Sequence, residues 1–334
     1  MRPAGTTREV VDAVARWLTG TGDEPAVVET SGSSGTPKRV VLSRAAVLAS
    51  VAATERRLGG SGRWLLALPA SYVAGLQVVV RSLVAGREPL LLEDHGSVAA
   101  AARSGDLDYV SLVPTQLHRL LDDDDETAAL RTIRTVLLGG GPVDPGLRAR
   151  AAAAGVVVVA TYGSAETAGG CVYDGVGLDG VGLAVDGDGR LRITGPMLFD
   201  GYEGDPARTA RTLVDGWFLT SDAARIDEDG RLQVLGRLDD MVVSGGVNVP
   251  APAVAQRLRA HPAVREVEVL GVPDEEWGNR LVAYVVGEAD LGTLRDWVSE
   301  KHPRSWAPRQ VVVLPAIPLL ANGKPDRVRL RELA

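Results

Sequence analysis

The sequence predicts an α/β protein in two parts: a large N-terminal α/β domain that ends in a β-rich subdomain, 1–237, and a small α+β C-terminal domain, 238–334. Three observations predict it. Between Arg63 and Ala160 short apolar runs alternate with segments of helical periodicity, the order of a largely parallel sheet covered by helices. From Val181 onward the pattern changes to short strands and turns, with Asp186-Gly187-Asp188-Gly189 and Asp227-Glu228-Asp229-Gly230 at hairpin positions. After the segment Arg237 to Asp240 there remain roughly ninety residues, enough to fold around a core of their own.

Val10, Val11, Val14, Trp17 and Leu18 recur at helical spacing behind Thr6 and Thr7, which predicts a capped amphipathic helix. Two strands follow, Ala26-Val27-Val28 and Arg39-Val40-Val41-Leu42, on either side of a Ser/Gly-rich turn. Ser43 caps a helix through Leu58, and Arg63 to Pro69 reads as a buried strand. The alternation continues with a helix from Tyr72 to Val84, a strand at Pro89 to Leu92, an Ala-rich helix near Val98 to Arg103 and a strand at Tyr109 to Val113. Pro114 suits a first helical turn, and the acidic run Asp122 to Glu126 reads as a solvated loop. Val136 to Leu138 opens onto Gly139-Gly140-Gly141-Pro142, and Val156 to Ala160 opens onto Tyr162-Gly163-Ser164-Ala165-Glu166. Strand C-terminal ends are where such sheets place ligands. The C-terminal part predicts a helix near Ala253 to Ala260, strands at Val264 to Val272 and Leu281 to Val286, a helix at Leu291 to Lys301 and a strand at Gln310 to Leu314.

A formal charge of −7 argues against nucleic acid or an anionic membrane as partner. The single Cys171 excludes an intrachain disulfide framework and suits a reducing cytosol; with no His/Asp arrangement beside it, it reads as a small half-buried residue and not a nucleophile. No apolar signal core or bilayer-length stretch is present, so a soluble, cytoplasmic protein is expected. No cluster of metal ligands stands out, so any metal is expected to arrive with a nucleotide. The sequence is compatible with a homo-oligomer and does not fix the oligomeric state.

The stretch with the clearest chemistry is Thr30-Ser31-Gly32-Ser33-Ser34-Gly35-Thr36-Pro37-Lys38. Glycines let several backbone N–H groups converge on one anion, hydroxyls add rotatable donors, and Lys38 adds a point charge. A triphosphate is the natural guest. A flexible linker would explain the composition but not the tight apolar strands on either side. The pattern also differs from GxxxxGK[ST], because its lysine follows a proline and no helix begins directly after it.

This loop resembles the phosphate loop of the adenylate-forming superfamily of acyl- and aryl-CoA ligases, nonribosomal adenylation domains and luciferases. Four further blocks occur in that superfamily's order: Tyr162 to Glu166, Gly216-Trp217-Phe218-Leu219-Thr220-Ser221-Asp222, Gly236-Arg237-Leu238-Asp239-Asp240, and Asn322-Gly323-Lys324-Pro325-Asp326-Arg327. Within the superfamily, Ser111 to Leu117 and Pro69-Ala70-Ser71-Tyr72-Val73-Ala74-Gly75-Leu76 resemble the o-succinylbenzoate-CoA ligases of menaquinone biosynthesis. The resemblance implies the adenylate-forming fold with a mobile C-terminal lid, ATP, Mg2+ and coenzyme A as cofactors and co-substrates, and a carboxylic acid as the molecule activated. Most members carry a large extra lobe ahead of the loop, so this chain looks shortened at its N-terminus.

The resemblance also implies roles. Thr30 to Thr36 and Lys38 would hold the β- and γ-phosphates, Gly140 and Gly141 would lie beside the adenine, and Tyr162 and Gly163 would face it. Glu166 would bind Mg2+, Asp222 would accept from the ribose hydroxyls, and Arg237 would reach the ribose or the phosphate. Lys324 would bridge the attacking carboxylate and the α-phosphate, Asp239 would be the hinge, and Ser244-Gly245-Gly246 would line the pantetheine channel. Asp222 or Arg237 could instead be a structural ion-pair partner, and the glycine triplet standing alone would read as a plain turn. Ala165 replaces the usual hydroxyl residue before the glutamate, with Thr167 or water as substitutes, and Tyr72 stands where relatives often have histidine. For the aryl carboxylate of the substrate Arg119 is the candidate, with Ser71, Tyr72 and His118 next; a solvent-facing Arg119 paired with Asp122 or Asp123 is the plain alternative. The rival functions are ligation of another acyl or aryl acid, stand-alone adenylation for a carrier protein, and nucleotide binding without catalysis.

Overall fold

The computed structural model describes residues 1–30, 38–318 and 325–334, with Asp239 described for its backbone only. Helix α1 (Thr7–Thr19) starts as expected: the Glu9 amide donates to the Thr6 hydroxyl at 3.3 Å and the Thr6 amide donates back to the Glu9 carboxylate at 2.7 Å. Its buried face is Val10, Val14 and Trp17. Strands β1 (Ala26–Glu29) and β2 (Arg39–Leu42) pair antiparallel from Ala26 with Leu42 to Glu29 with Arg39. Helix α2 (Arg44–Leu58) is capped by Ser43, whose hydroxyl accepts from the Ala46 amide at 3.2 Å.

The alternating region follows as β3 (Trp64–Leu66), α3 (Val73–Val84), β4 (Leu90–Leu91), α4 (Leu92–His95), α5 (Val98–Arg103), β5 (Tyr109–Leu112), α6 (Pro114–Leu120), α7 (Asp124–Thr132), β6 (Thr135–Leu138), α8 (Pro145–Ala153), β7 (Val158–Ser164), β8 (Gly169–Tyr173) and β9 (Val176–Gly177). Its strands form one sheet in the order β4-β3-β5-β6-β7-β8-β9. The sheet is parallel from β4 to β7 and antiparallel from there on. The acidic run is not a loop. Asp123 caps α7, accepting from the Asp125 and Glu126 amides at 2.9 and 3.0 Å, and Asp124, Asp125 and Glu126 form the first turn, where the helix dipole favours negative charge.

The remaining elements are β10 (Gly182–Val185), β11 (Arg190–Thr194), β12 (Gly201–Tyr202), α9 (Pro206–Thr212), β13 (Leu213–Val214), β14 (Trp217–Ile226), β15 (Leu232–Arg237), β16 (Met241–Ser244), β17 (Val247–Pro250), α10 (Ala251–Arg259), β18 (Val264–Asp274), β19 (Gly278–Gly287), α11 (Leu291–Ser299), β20 (Gln310–Val313) and α12 (Arg327–Glu332). Both expected hairpin turns form, closed by the Gly189 amide on the Asp186 carbonyl at 3.0 Å and the Gly230 amide on the Asp227 carbonyl at 2.9 Å.

Two compact units result, Met1–Ala184 with Arg192–Thr220 and Ile226–Leu232, and Val185–Leu191 with Ser221–Arg225 and Gln233–Ala334. In the first, Leu65, Val110, Leu112, Val136 and Leu138 of the sheet pack with Val98, Leu117, Leu130 and Leu147 of the covering helices. Burying these branched side chains supplies most of the drive to fold, at about 25 cal/mol per Å2 of apolar surface. In the second unit β18, β19 and β20 form a sheet buried on both faces. Val267, Val269, Leu281, Ala283 and Val285 face Val254, Leu258, Leu294 and Val298, while Leu270, Val272, Val282, Tyr284 and Val286 face Ile317 and Leu330. The period of two in those two sets is the strand pleat itself.

Candidate active site

In the first unit the phosphate-loop candidate springs from the β1/β2 hairpin. Its ends are tied: the Thr30 amide donates to the Lys38 carbonyl at 2.9 Å and the Lys38 amide to the Thr30 hydroxyl at 3.4 Å. Ser31, Gly32, Ser33, Ser34, Gly35 and Thr36 lie outside the described residues, as does Lys324.

Strand β12 runs beside β2, pairing Tyr202 with Val40 and Gly201 with Val41. That register brings Tyr202 to the base of the loop, with the Lys38 ammonium 5.8 Å from its ring centroid. The Tyr202 hydroxyl donates to Glu166 Oε1 at 2.8 Å. Both side chains are buried, 7% and 6% exposed, so the carboxylate is oriented where solvent cannot compete. Burial pushes the Tyr202 pKa well above the usual phenol range, and the neighbouring Glu166 charge adds to the rise, so the hydroxyl stays a donor. Phe199 packs edge-on against Tyr202, ring centroids 5.0 Å apart, and its amide donates to the Glu166 carbonyl at 3.0 Å.

Glu166 sits in a one-turn helix, Ala165–Thr167, directly after β7. Tyr162 and Gly163 are therefore strand residues, with Tyr162 paired to Val172 of β8. A β-carbon on Gly163 would overlap the Gly169 carbonyl oxygen, so glycine is needed there for backbone packing. Thr167 cannot stand in for the hydroxyl missing at Ala165. It is fully buried, and its hydroxyl accepts from the Ser164 amide at 2.8 Å while donating to the Gly169 carbonyl at 2.7 Å.

Because β3, β5, β6 and β7 are parallel, the segments leaving their C-terminal ends share one edge of the sheet. Ser71 and Tyr72 follow β3, Pro114 follows β5, Gly139 to Gly141 follow β6, and Tyr162 lies near the end of β7. Gly140 and Gly141 are exposed, Gly140 with φ +76°, and Tyr72 is 47% exposed at the start of α3. Arg119 and His118 are exposed on α6. Neither suggested partner of Arg119 is its partner here: Asp122 pairs with Arg150 at 2.7 Å, and Asp123 caps α7.

The sequence reading missed a buried guanidinium. Arg81 on α3 is 4% exposed; its Nη2 donates to the Thr54 hydroxyl at 3.2 Å, and its guanidinium lies 5.0 Å from the Trp64 ring centroid. No carboxylate pairs with it among the described residues, and its Nε has no hydrogen-bond partner there. Cys171 is also buried, which pushes its thiol up to about 12, so it stays protonated at neutral pH and unsuited to nucleophilic work.

In the second unit Arg237 and Asp222 form an ion pair at 3.4 Å, with Asp222 the more buried partner. Gly245 and Gly246, both at positive φ, form the two-residue turn between β16 and β17. The Gly245 amide donates to the Trp277 carbonyl at 2.9 Å, and a β-carbon on Gly245 would meet the Trp277 ring at 2.6 Å. Asp239 lies in the one-turn helix Leu238–Asp240. Its neighbour Asp240 binds Arg327 at 2.7 Å, and Arg327 also binds Glu268 at 2.9 Å. The Asp326 amide donates to the Pro318 carbonyl at 2.8 Å, closing the base of the segment that contains Lys324.

Comparison with known proteins bears directly on this arrangement. The chain is 42% identical over 322 residues to a probable 2-succinylbenzoate–CoA ligase of Mycobacterium tuberculosis, covering 92% of this chain and 84% of that one. It is 31% identical to the 2-succinylbenzoate–CoA ligase of Listeria innocua, over 92% of this chain and 69% of that one. The o-succinylbenzoate CoA synthetase of Bacillus subtilis, solved with the acyl-adenylate intermediate OSB-AMP, superposes with a TM-score of 0.75 at 28% identity, over 92% of this chain and 68% of that one. An amide bond synthetase, McbA, from Marinactinospora thermotolerans superposes at 0.77 with 31% identity, over 92% and 69%. Residues 19–202 match the AMP-binding enzyme family and residues 253–324 its C-terminal domain. With both family segments present in order, and with the loop base, Tyr202 and Glu166 gathered in one unit, the chain belongs to the AMP-binding enzyme family.

Proposed function

We propose that this chain is an AMP-forming o-succinylbenzoate-CoA ligase of menaquinone biosynthesis, which uses ATP to make the acyl-adenylate and then passes the acyl group to coenzyme A. The observation that carries the chemistry is the buried Glu166 carboxylate, held by Tyr202 beside Lys38 at the base of the glycine-rich loop. The choice of acid rests on the named relatives. In the first step a substrate carboxylate oxygen attacks the α-phosphorus and pyrophosphate leaves; in the second the CoA thiolate attacks the acyl carbon and AMP leaves. Two anions must meet in the first step, so placed cations and N–H donors lower its barrier. Lys38 and the loop from Thr30 to Thr36 grip the β- and γ-phosphates, and Lys324 joins carboxylate to α-phosphate. Tyr162, Gly163, Gly140 and Gly141 border the adenine, and the Asp222–Arg237 pair takes the ribose.

No group of three or more His, Cys, Asp or Glu side chains able to hold a metal exists among the described residues. A lone carboxylate suits Mg2+, which takes most of its ligands from phosphates and water. Glu166 would hold that ion, which offsets phosphate charge when bound. Residues 238–334 act as the lid, turning about Asp239, and Ser244, Gly245 and Gly246 line the pantetheine path. No helix among the described residues is long and apolar enough to cross a membrane.

Thioester formation from o-succinylbenzoate, benzoate and medium-chain fatty acids tests the reading. A kcat/KM for o-succinylbenzoate at least about a hundredfold above the others is expected, the size of one buried charged contact. Equal rates across the acids would remove the substrate assignment. The similarity to an amide bond synthetase favours one second reading, an adenylating enzyme whose acyl acceptor is not CoA. It predicts pyrophosphate exchange with the acid but no thioester when CoA is supplied.

The second carboxylate of o-succinylbenzoate needs a cation, since a desolvated unpaired carboxylate costs several kcal/mol. The sequence nominates Arg119, exposed on α6, the helix that leaves the C-terminal end of β5; the buried Arg81 packs on Trp64 at the other end of β3. Arg119→Ala is expected to raise KM for o-succinylbenzoate about tenfold or more with KM for ATP within about threefold. Unchanged KM for both substrates in steady-state kinetics would return Arg119 to the surface.

A further inference from the structure

We propose that Gln77 is a positioning residue for Glu166, acting through the carbonyl of Ala168; this rests on the phosphate-side role given to Glu166 above. The one-turn helix that carries Glu166 ends at Ala168, a residue with a β-carbon held in the left-handed region at φ 47°, ψ 37°. Such a conformation persists only where its surroundings enforce it. Two buried side chains do so. Gln77 Nε2 donates to the Ala168 carbonyl at 2.6 Å and the Ser50 hydroxyl donates to the same oxygen at 3.3 Å. Gln77 is 1% exposed and Ser50 2%.

The turn is thus pinned on both sides of its carboxylate, at the Glu166 carbonyl by the Phe199 amide and at the Ala168 carbonyl by Gln77 and Ser50. Gln77 sits in α3 between Leu76 and Val78, both fully buried, where an apolar side chain of similar length would fill the space with no polar group to desolvate. Its Oε1 is buried with no hydrogen-bond partner among the described residues, so the bond to Ala168 is what the amide contributes. Without that donor the Ala168 carbonyl keeps only the longer Ser50 bond, and the carboxylate two residues earlier is left to Tyr202 and the Phe199 contact, with its C-terminal anchor weakened.

A double-mutant cycle on pyrophosphate exchange with Gln77→Met, Glu166→Gln and the double variant tests this. Gln77→Met is expected to lower kcat/KM for ATP about tenfold or more, with KM for the acid within about twofold. In the Glu166→Gln background the same substitution should cost less than about twofold, because a carboxylate already removed cannot be misaligned. A merely structural Gln77 would cost the same factor in both backgrounds, and that result, or no loss in the wild-type background, overturns the proposal. If Gln77→Met does not fold, Ser50→Ala goes through the same cycle, with about threefold expected in the wild-type background and none in the other. A silent Glu166→Gln would also overturn it, by removing the role of Glu166 itself; failure confined to Gln77 shows instead as a damaging Glu166→Gln with multiplicative losses.

Discussion

Lys324→Ala is expected to lower pyrophosphate exchange by about a thousandfold or more, while thioester formation from supplied acyl-adenylate stays within about threefold of wild type. Its charge is wanted only while one anion attacks another. Once the adenylate exists, the ammonium has no developing charge to meet, so the second half-reaction does not need it. Single-turnover assays of the two halves measure the split directly, and equal loss in both would show that Lys324 serves the fold of the small unit. The converse variant is Asp239→Pro. A proline locks φ at a residue assigned as the pivot, so adenylation is expected to survive and transfer to CoA to fail by about a hundredfold. Unimpaired thioester synthesis by that variant would remove the pivot.

Gly163→Ala is expected to lower the melting temperature by roughly 10 °C or more, or to leave no folded protein, because overlap with rigid backbone cannot be relieved by a rotamer change. The atom in the way is the Gly169 carbonyl oxygen of the paired strand β8, and the bulge between Tyr162 and Gly163 lies at that point. A family resemblance alone would make this glycine a nucleotide contact. Thermal unfolding separates that packing role from the place beside the adenine proposed above: an alanine variant that melts normally but binds ATP poorly would remove the packing role and leave only the ligand contact.

Much of the fold was legible because local rules and tertiary packing agree. The capped start of α1 behind Thr6, the Ser43 cap and the Asp-Gly hairpins sit where the sequence places them, each needing only residues within one turn. The loop could be framed by its two strands for the same reason. What was not legible depends on partners far apart in sequence. Tyr202 reaches Glu166 from 36 residues away, and Gln77 reaches Ala168 from 91. A signal existed for Gln77 and Arg81: helix α3 reads VAGLQVVVRSLV, apolar on nearly every side, so the polar side chains at 77, 81 and 82 had to be buried with something to meet. The acidic run from Asp122 was misread because charge density was weighed without the capping position of Asp123, which turns those carboxylates into a helix start.

The pairing of Arg327 with both Asp240 and Glu268 has a mechanical consequence. Asp240 is the residue next to the assigned pivot, Glu268 lies in β18, and Arg327 opens α12 three residues beyond Lys324. One guanidinium thus cross-links three stretches of the second unit that lie far apart in sequence: the start of α12, β18 and the residue after Asp239. With the pivot proposed above at Asp239, the start of α12 would turn together with residue 240 and β18 as one piece.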